Sequence, residues 1–277
     1  MSAVTRCLNS GSNLPEALYR IISVERLKEM MVKNINALVS PLLWEDPDEA
    51  APLRVKLTQP RFIDIDGSMK VGMKFIGEPR RQGTWTQQGT AIYRIYCQSW
   101  TATPETDTMW RAYSPNKECV RIRVSTTKLV QSFGDANVGE SCFLGEVNYV
   151  TREEIDNQLL DGKACYLLQG RGGTVDGVYG LGWVPALTRK RLEFKPEHEY
   201  RLILAKKNDS AGINAPRFHS YDFESKSLIE EVTLDPRSAE LNGLTQMLRD
   251  LGYSGTVNKS NLYQVPEYDY WNSTHPR

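Results

Sequence analysis

Residues 17–40 read ALYRIISVERLKEMMVKNINALVS, and the fold class is read outward from this stretch. Ala17–Ile22 has the apolar, β-branched and aromatic make-up of a strand, with Tyr19 and Arg20 in its middle. Ser23 supplies a side-chain oxygen that can cap a following helix, VERLKEMMVKN, in which Leu27, Met30 and Met31 fall at helical spacing. Asn34 is a suitable stop. Asn36–Ser40 then reads as a short strand, and Trp44-Glu45-Asp46-Pro47 turns the chain away, because a residue before proline avoids the helical region.

Downstream, strands outnumber helices. Ala91–Cys97 (AIYRIYC), Cys119–Ser125 (CVRIRVS), Phe143–Val150, Tyr200–Ala205 (YRLILA), Phe218–Phe223, Ser227–Thr233 and Thr256–Lys259 read as strands. Thr103-Pro104 reads as the cap and first turn of a helix carrying Met109, Trp110 and Tyr113. Thr126–Phe133 and Thr151–Leu160 read as helices. Asp235-Pro236 is expected to cap a last helix that buries Leu241, Leu244, Met247, Leu248 and Leu251 and ends at Gly252. Residues 53–90 read as a hairpin or meander with loops. Residues 170–182 hold six glycines but lack the phosphate-loop pattern, so they read as a loop or hairpin turn.

These elements predict an α+β fold of mixed, mainly antiparallel sheets, with no βαβ alternation to support a doubly wound sheet. Residues 1–15 are expected to form a flexible arm, residues 16–265 one domain and residues 266–277 a tail. The chain has 277 residues, 40% of them hydrophobic and 25% charged, enough for a well-filled core. Lysine plus arginine equals aspartate plus glutamate at 34 each. That balance argues against binding driven by non-specific attraction to nucleic acid, while allowing a local patch such as Arg80-Arg81 with Trp85, or Arg189-Lys190-Arg191. No apolar stretch is long enough to span a bilayer and no secretory leader is visible, so the expected compartment is the cytoplasm. Five widely spaced cysteines without a C-x-x-C, and three histidines, leave a disulfide scaffold, a zinc site or a Ser-His-Asp enzyme poorly supplied. A nuclease centre has Asp64, Asp66 and Lys70 as its nearest residues, and no metal is expected.

Three places combine unusual residue types with a strand. Arg20 follows Tyr19 on the first strand, where an always-charged guanidinium needs either a carboxylate or an anionic ligand. Ser99-Trp100-Thr101 puts two hydroxyls on one side of an extended chain. Pro196-Glu197-His198-Glu199 puts two carboxylates on one face if extended, and mutual repulsion can raise one pKa; His198 would point the other way. An anion-binding arginine, a hydroxyl that orients a carboxylate, and a carboxylate that stabilises an oxocarbenium-like transition state are the parts needed to break a nicotinamide glycosidic bond. Tyr19, Tyr113, Trp100 and Trp110 could stack on nicotinamide or adenine. For each of these aromatics singly, a place in the core is the simpler reading.

The order Arg, Ser-x-Thr, Glu-x-Glu resembles the Arg-Ser-Glu class of ADP-ribosyltransferases, with Ser-Trp-Thr where that class has Ser-Thr-Ser. The resemblance implies a split-sheet cleft flanked by helices and NAD as substrate. It implies Glu199, Glu197 and Ser99 as catalytic residues, and Arg20, Tyr19, Thr101, Trp100 and Tyr113 as cofactor-binding residues. A second resemblance covers roughly residues 17–262. LYRIISVERLKEMMVKNINALVSPLLWEDPDE, CQSWTATPETDTMWRAYSPNKECVRIRV and FKPEHEYRLI are similar to successive blocks of the bacterial DUF2971 family. Glu45-Asp46-Pro47-Asp48-Glu49 stands where that family has Asn-Asp-Pro-Phe-Glu, and Lys117-Glu118 where it has a glycine. That family resembles mobile, defence-associated bacterial and phage genes. The two resemblances together imply transfer of ADP-ribose to a protein or nucleic-acid acceptor, as a toxin or phage-defence effector with an antitoxin or regulatory partner. The alternative is a non-catalytic interaction or sensor protein of a defence system.

Overall fold

The computed structural model describes residues 6–8, 14–46, 48–49, 61–65, 68–72, 93–160, 174–175, 178–179, 187–207 and 216–265. The strands are β1 (Arg6–Leu8), β2 (Ala17–Ser23), β3 (Ile35–Val39), β4 (Arg61–Ile65), β5 (Ser68–Gly72), β6 (Tyr93–Thr101), β7 (Cys119–Ser125) and β8 (Ser141–Glu146). They continue with β9 (Asn148–Val150), β10 (Thr174–Val175), β11 (Val178–Tyr179), β12 (Arg189–Arg191), β13 (Glu199–Lys207), β14 (Phe218–Asp222), β15 (Ile229–Leu234) and β16 (Thr256–Lys259). The helices are α1 (Val24–Lys33), α2 (Asp107–Tyr113), α3 (Thr126–Ala136), α4 (Arg152–Leu160), α5 (Ser225–Leu228) and α6 (Leu241–Asp250).

The protein is a mixed α+β fold. One large sheet runs β1-β8-β13-β6-β2-β7-β15-β16, with β3 joined to β6 and β14 to β3. Pairing within it is antiparallel except at β1/β8 and β15/β16. β15, α6 and β16 make a parallel crossover that the sequence reading did not contain. Arg6–Leu8, expected in a flexible arm, forms the edge strand β1.

The sheet parts between β2 and β6. These strands share a single paired position, Tyr19 with Thr101. Beyond it β6 turns instead to β3, where Val39 faces Cys97, and β2 stays fully paired with β7. Alternation sorts the two faces. Leu18, Ile22, Val120, Ile122, Val124, Trp100, Leu202 and Leu204 belong to one core with Leu27, Met30 and Met31 of α1, Leu129 and Phe133 of α3, and Leu244 and Leu248 of α6. Each fully buried aliphatic side chain contributes about 1.5–3 kcal/mol. The opposite face carries Tyr19, Arg121 and Arg123 on one side of the parting and Ser99, Thr101, Glu199 and Arg201 on the other.

Local chemistry explains the element ends. Ser23 accepts from the Arg26 N–H at 3.1 Å, and Asn34 closes α1 in the left-handed region at φ 51°. The helix expected from Thr103-Pro104 starts later, because Thr106 is the residue whose hydroxyl accepts from the Met109 N–H, at 3.1 Å. Asp235 does not cap the last helix either. It is fully buried and clasped by Arg237 through Nε at 3.0 Å and Nη2 at 2.7 Å, so α6 waits until Leu241. The stretch expected as one strand over 143–150 breaks into β8 and β9 at Val147, whose N–H donates to the Glu199 carbonyl. Of the expected meander at 53–90, the described part is the hairpin β4–β5. Of residues 170–182, it is the two-rung ladder β10–β11.

Candidate functional site

The site is built where β6, β13 and β12 meet the turn after β3. On β13 the register sets Glu199 opposite Thr101 and Arg201 opposite Ser99. Directly opposed residues share a face, so these four side chains point the same way. Tyr19 joins them through its pairing with Thr101.

Glu197 and Glu199 do not lie on one extended strand as expected. Glu197 ends a short 3-10 turn (Leu192–Glu197), and His198 takes the left-handed conformation at φ 44° before β13 begins. That bend still brings both carboxylates to the Lys190 ammonium, at 2.6 Å from Glu197 and 3.1 Å from Glu199. Glycine adopts this conformation without strain, whereas a β-branched residue pays about 1–2 kcal/mol. His198→Gly should therefore match the wild type in urea unfolding to within about 1 kcal/mol, and His198→Val should lose about 1–2 kcal/mol. Equal stabilities for the two variants would show that the bend does not constrain the chain.

Glu199 is 3% exposed. Arg201 holds it in a fork, Nε to Oε1 at 2.7 Å and Nη2 to Oε2 at 3.0 Å, and the Ser99 side chain bonds it as well. Arg201 is itself fully buried. It donates to the Leu187 carbonyl at 2.6 Å and stacks 4.3 Å from the centroid of Trp44. Glu49, 7% exposed, completes the cluster at 3.1 Å from Lys190 and 3.3 Å from Arg201.

The electrostatics differ from the expected pair of repelling carboxylates. Burial raises the Glu199 carboxyl, but Arg201, Lys190 and Ser99 outweigh it and hold it down at about 2. The carboxyl that rises is Glu49, chiefly by burial and against the pull of Arg201 and Lys190. Because the Glu199 pKa is depressed by folding, its stabilisation is present above the unfolded value near 4.5 and is lost as pH falls towards 2. The urea midpoint of the wild type should fall over that window, and Glu199→Gln should fall less. Parallel curves would show that this group does not carry the acid sensitivity.

Glu197 is the open member of the cluster. Its side chain is 22% exposed, and it accepts from the Tyr113 hydroxyl at 3.1 Å. Tyr113 is 49% exposed at the end of α2. Ser99 is also exposed. Thr101 is an internal brace, its hydroxyl donating to the Glu197 carbonyl at 2.6 Å and accepting from the Thr103 N–H at 3.0 Å. Tyr19 lies beneath the Arg121 guanidinium, 5.2 Å from the ring centroid.

Two expected members fall elsewhere. Arg20 and Trp100 alternate to the opposite face. Trp100 is 2% exposed and donates its indole N–H to Gln98 at 2.8 Å, so it is a core residue and not a stacking platform. Arg20 is half-buried, with the neutral Tyr221 hydroxyl and the Arg26 cation as neighbours. Burial lowers its pKa to about 10, and no carboxylate pairs with it among the described residues.

Sequence reasoning missed Lys190 and Glu49 as members of this cluster, and considered Arg201 only as an ion-pair partner of Glu199. The Arg189-Lys190-Arg191 run, read as a surface patch for nucleic acid, is largely used inside the protein. Lys190 is 9% exposed, and Arg191 binds Asp46 at 3.0 Å and Asp48 at 3.4 Å. Arg80, Arg81, Trp85 and Asp66 lie outside the described residues, as do the side chains of Asp64 and Lys70. Among the described residues no group of three or more His, Cys, Asp or Glu side chains is arranged to hold a metal ion, and no helix is long and apolar enough to cross a membrane.

In sequence, residues 109–202 match the family described as "Protein of unknown function (DUF2971)". No curated protein matches the chain. Solved structures similar to it include Thermus sp. 2.9 DarT in complex with carba-NAD+, with NAD+ and with ADP-ribosylated ssDNA. Identities are 12%, 11% and 12%, and TM-scores 0.34, 0.36 and 0.36. The similarity covers 90%, 90% and 94% of this chain and 97%, 98% and 98% of those chains.

Proposed function

We propose that this chain is an NAD-dependent ADP-ribosyltransferase-like enzyme that transfers ADP-ribose to a macromolecular acceptor. The observation that carries this reading is the Glu197–Tyr113 pair: a partly open carboxylate hydrogen-bonded to a half-exposed tyrosine, at 3.1 Å. A carboxylate beside an aromatic ring suits the cationic nicotinamide of NAD+, attracted by the charge and by the ring face. When the glycosidic bond breaks, the bonding electrons leave with nicotinamide, and positive charge grows on the ribose. A fixed carboxylate stabilises that charge without reorganising. Glu199, kept ionised by Arg201 and Lys190, helps anchor the Lys190 ammonium that Glu197 shares, and the exposed Ser99 bonds Glu199 from the open side.

Arg20 stands one residue past the single β2–β6 bridge, where the strands part. A role in holding the pyrophosphate would need an extended dinucleotide to reach through that parting.

One observation favours a second reading. Glu199 has its acceptor sites taken by Arg201, Lys190 and Ser99. A carboxylate so saturated can serve as a structural counter-ion in a non-catalytic interaction protein of a defence system. Incubating purified protein with labelled NAD+, alone and in cell lysate, separates the two readings. Transfer of label to protein or nucleic acid is the expected result and identifies the acceptor. No NAD+ consumption in any lysate leaves the interaction reading.

A further inference from the structure

We propose that Lys190 is the positioning residue of this site, the ammonium that holds the Glu197 carboxylate in place against the Tyr113 hydroxyl. The inference deepens the reading of Glu197 as the working carboxylate and rests on it. Lys190 comes from β12, Glu197 from the 3-10 turn, Glu199 from β13 and Glu49 from the turn after β3, so one ammonium ties four chain segments together. An ammonium has three N–H donors, and three carboxylates stand at 2.6, 3.1 and 3.1 Å. The Phe194 ring covers a further side, 4.7 Å from Nζ to its centroid. Tyr149 lies nearby, its hydroxyl accepting from the Glu199 N–H at 2.8 Å.

The shortest of the three contacts goes to the most open carboxylate. Glu49 and Glu199 are also served by Arg201, at 3.3 and 2.7 Å. Among the described residues, the side chains bound to the Glu197 carboxylate are Lys190 and Tyr113. Removing the ammonium therefore leaves Glu199 with a cation and Glu197 without one. A guanidinium would keep the charge, but its planar fork cannot send one proton to each of three converging carboxylates.

The test uses the full chain with Lys190→Met and Lys190→Arg. Two readouts are followed: the kcat and KM of NAD+ consumption, and the carbon-13 NMR resonance of Tyr113 Cζ, which reports the hydrogen bond to Glu197 and needs no activity. Lys190→Met is expected to move that resonance towards its position in Glu197→Ala and to lower kcat at least tenfold, with KM changing less than about threefold. Lys190→Arg is also expected to lose kcat tenfold, which a purely charge-balancing lysine would not do. Wild-type kcat in Lys190→Arg, or an unmoved Tyr113 resonance in Lys190→Met, overturns the proposal. If Lys190→Met does not fold, Lys190→Arg decides by both readouts. A wild type that consumes no NAD+, with the Tyr113 resonance moving as expected in Lys190→Met, supports the positioning role of Lys190 and removes the transferase reading.

Discussion

Arg201→Met should destabilise the fold by about 3–5 kcal/mol, the usual cost of breaking a buried ion pair from one side. Arg201 is fully buried and is the forked partner of Glu199. Without it, Glu199 and Glu49 stay buried with Lys190 as their shared cation, and the Leu187 carbonyl and the Trp44 ring lose their partner. For a domain of this size that loss corresponds to a fall in Tm of about 10 °C. Adding Glu199→Gln should recover part of it, because the stranded charge goes with the carboxylate. Thermal and urea unfolding check both statements. A loss under about 1 kcal/mol in the single variant would falsify the view that this pair is a structural keystone.

On the proposed transferase reading, Glu197→Gln should lower the rate of ADP-ribose transfer by about 10²–10³-fold, the range for removing one preorganised electrostatic group. Its stability should stay close to that of the wild type, since a partly exposed ion pair contributes little and Lys190 keeps Glu49 and Glu199. The contrast with Glu199→Gln is the informative part. That change removes a buried counter-ion and should cost stability first, so its activity loss carries a folding effect. Single-turnover transfer of labelled ADP-ribose, read beside the Tm of each variant, separates the two glutamates. Full activity in Glu197→Gln would move the chemistry away from this carboxylate.

Much of the architecture was legible because it is local. Ser23 and Asn34 delimit α1 through groups three or four residues away, and CVRIRVS alternates with the period that sends Val120, Ile122 and Val124 to the core. The mainly antiparallel α+β class follows from such segments. The errors arose where two local signals competed for the same turn. Asp235 looks like a cap until Arg237 claims it, and Thr103-Pro104 looks like a helix start until Thr106 supplies the bond.

For the candidate site, the sequence by itself singled out Ser99, Thr101, Glu197 and Glu199, because hydroxyls and carboxylates at short spacing next to strands stand out in a linear reading, and Tyr113 as an aromatic that could stack on a ligand. Tertiary structure alone decided what surrounds them. The antiparallel register of β6 and β13 sets Ser99 against Arg201 and Thr101 against Glu199, across about a hundred residues. Alternation along each strand sends Trp100, between Ser99 and Thr101 on β6, and Arg20, next to Tyr19 on β2, to the other face. Lys190 read as part of a solvated basic run, and a linear sequence holds no sign that three carboxylates from separate segments will converge on it. A charge pair acts over a few ångströms in space, so which acid meets which base is settled only when the strands have paired.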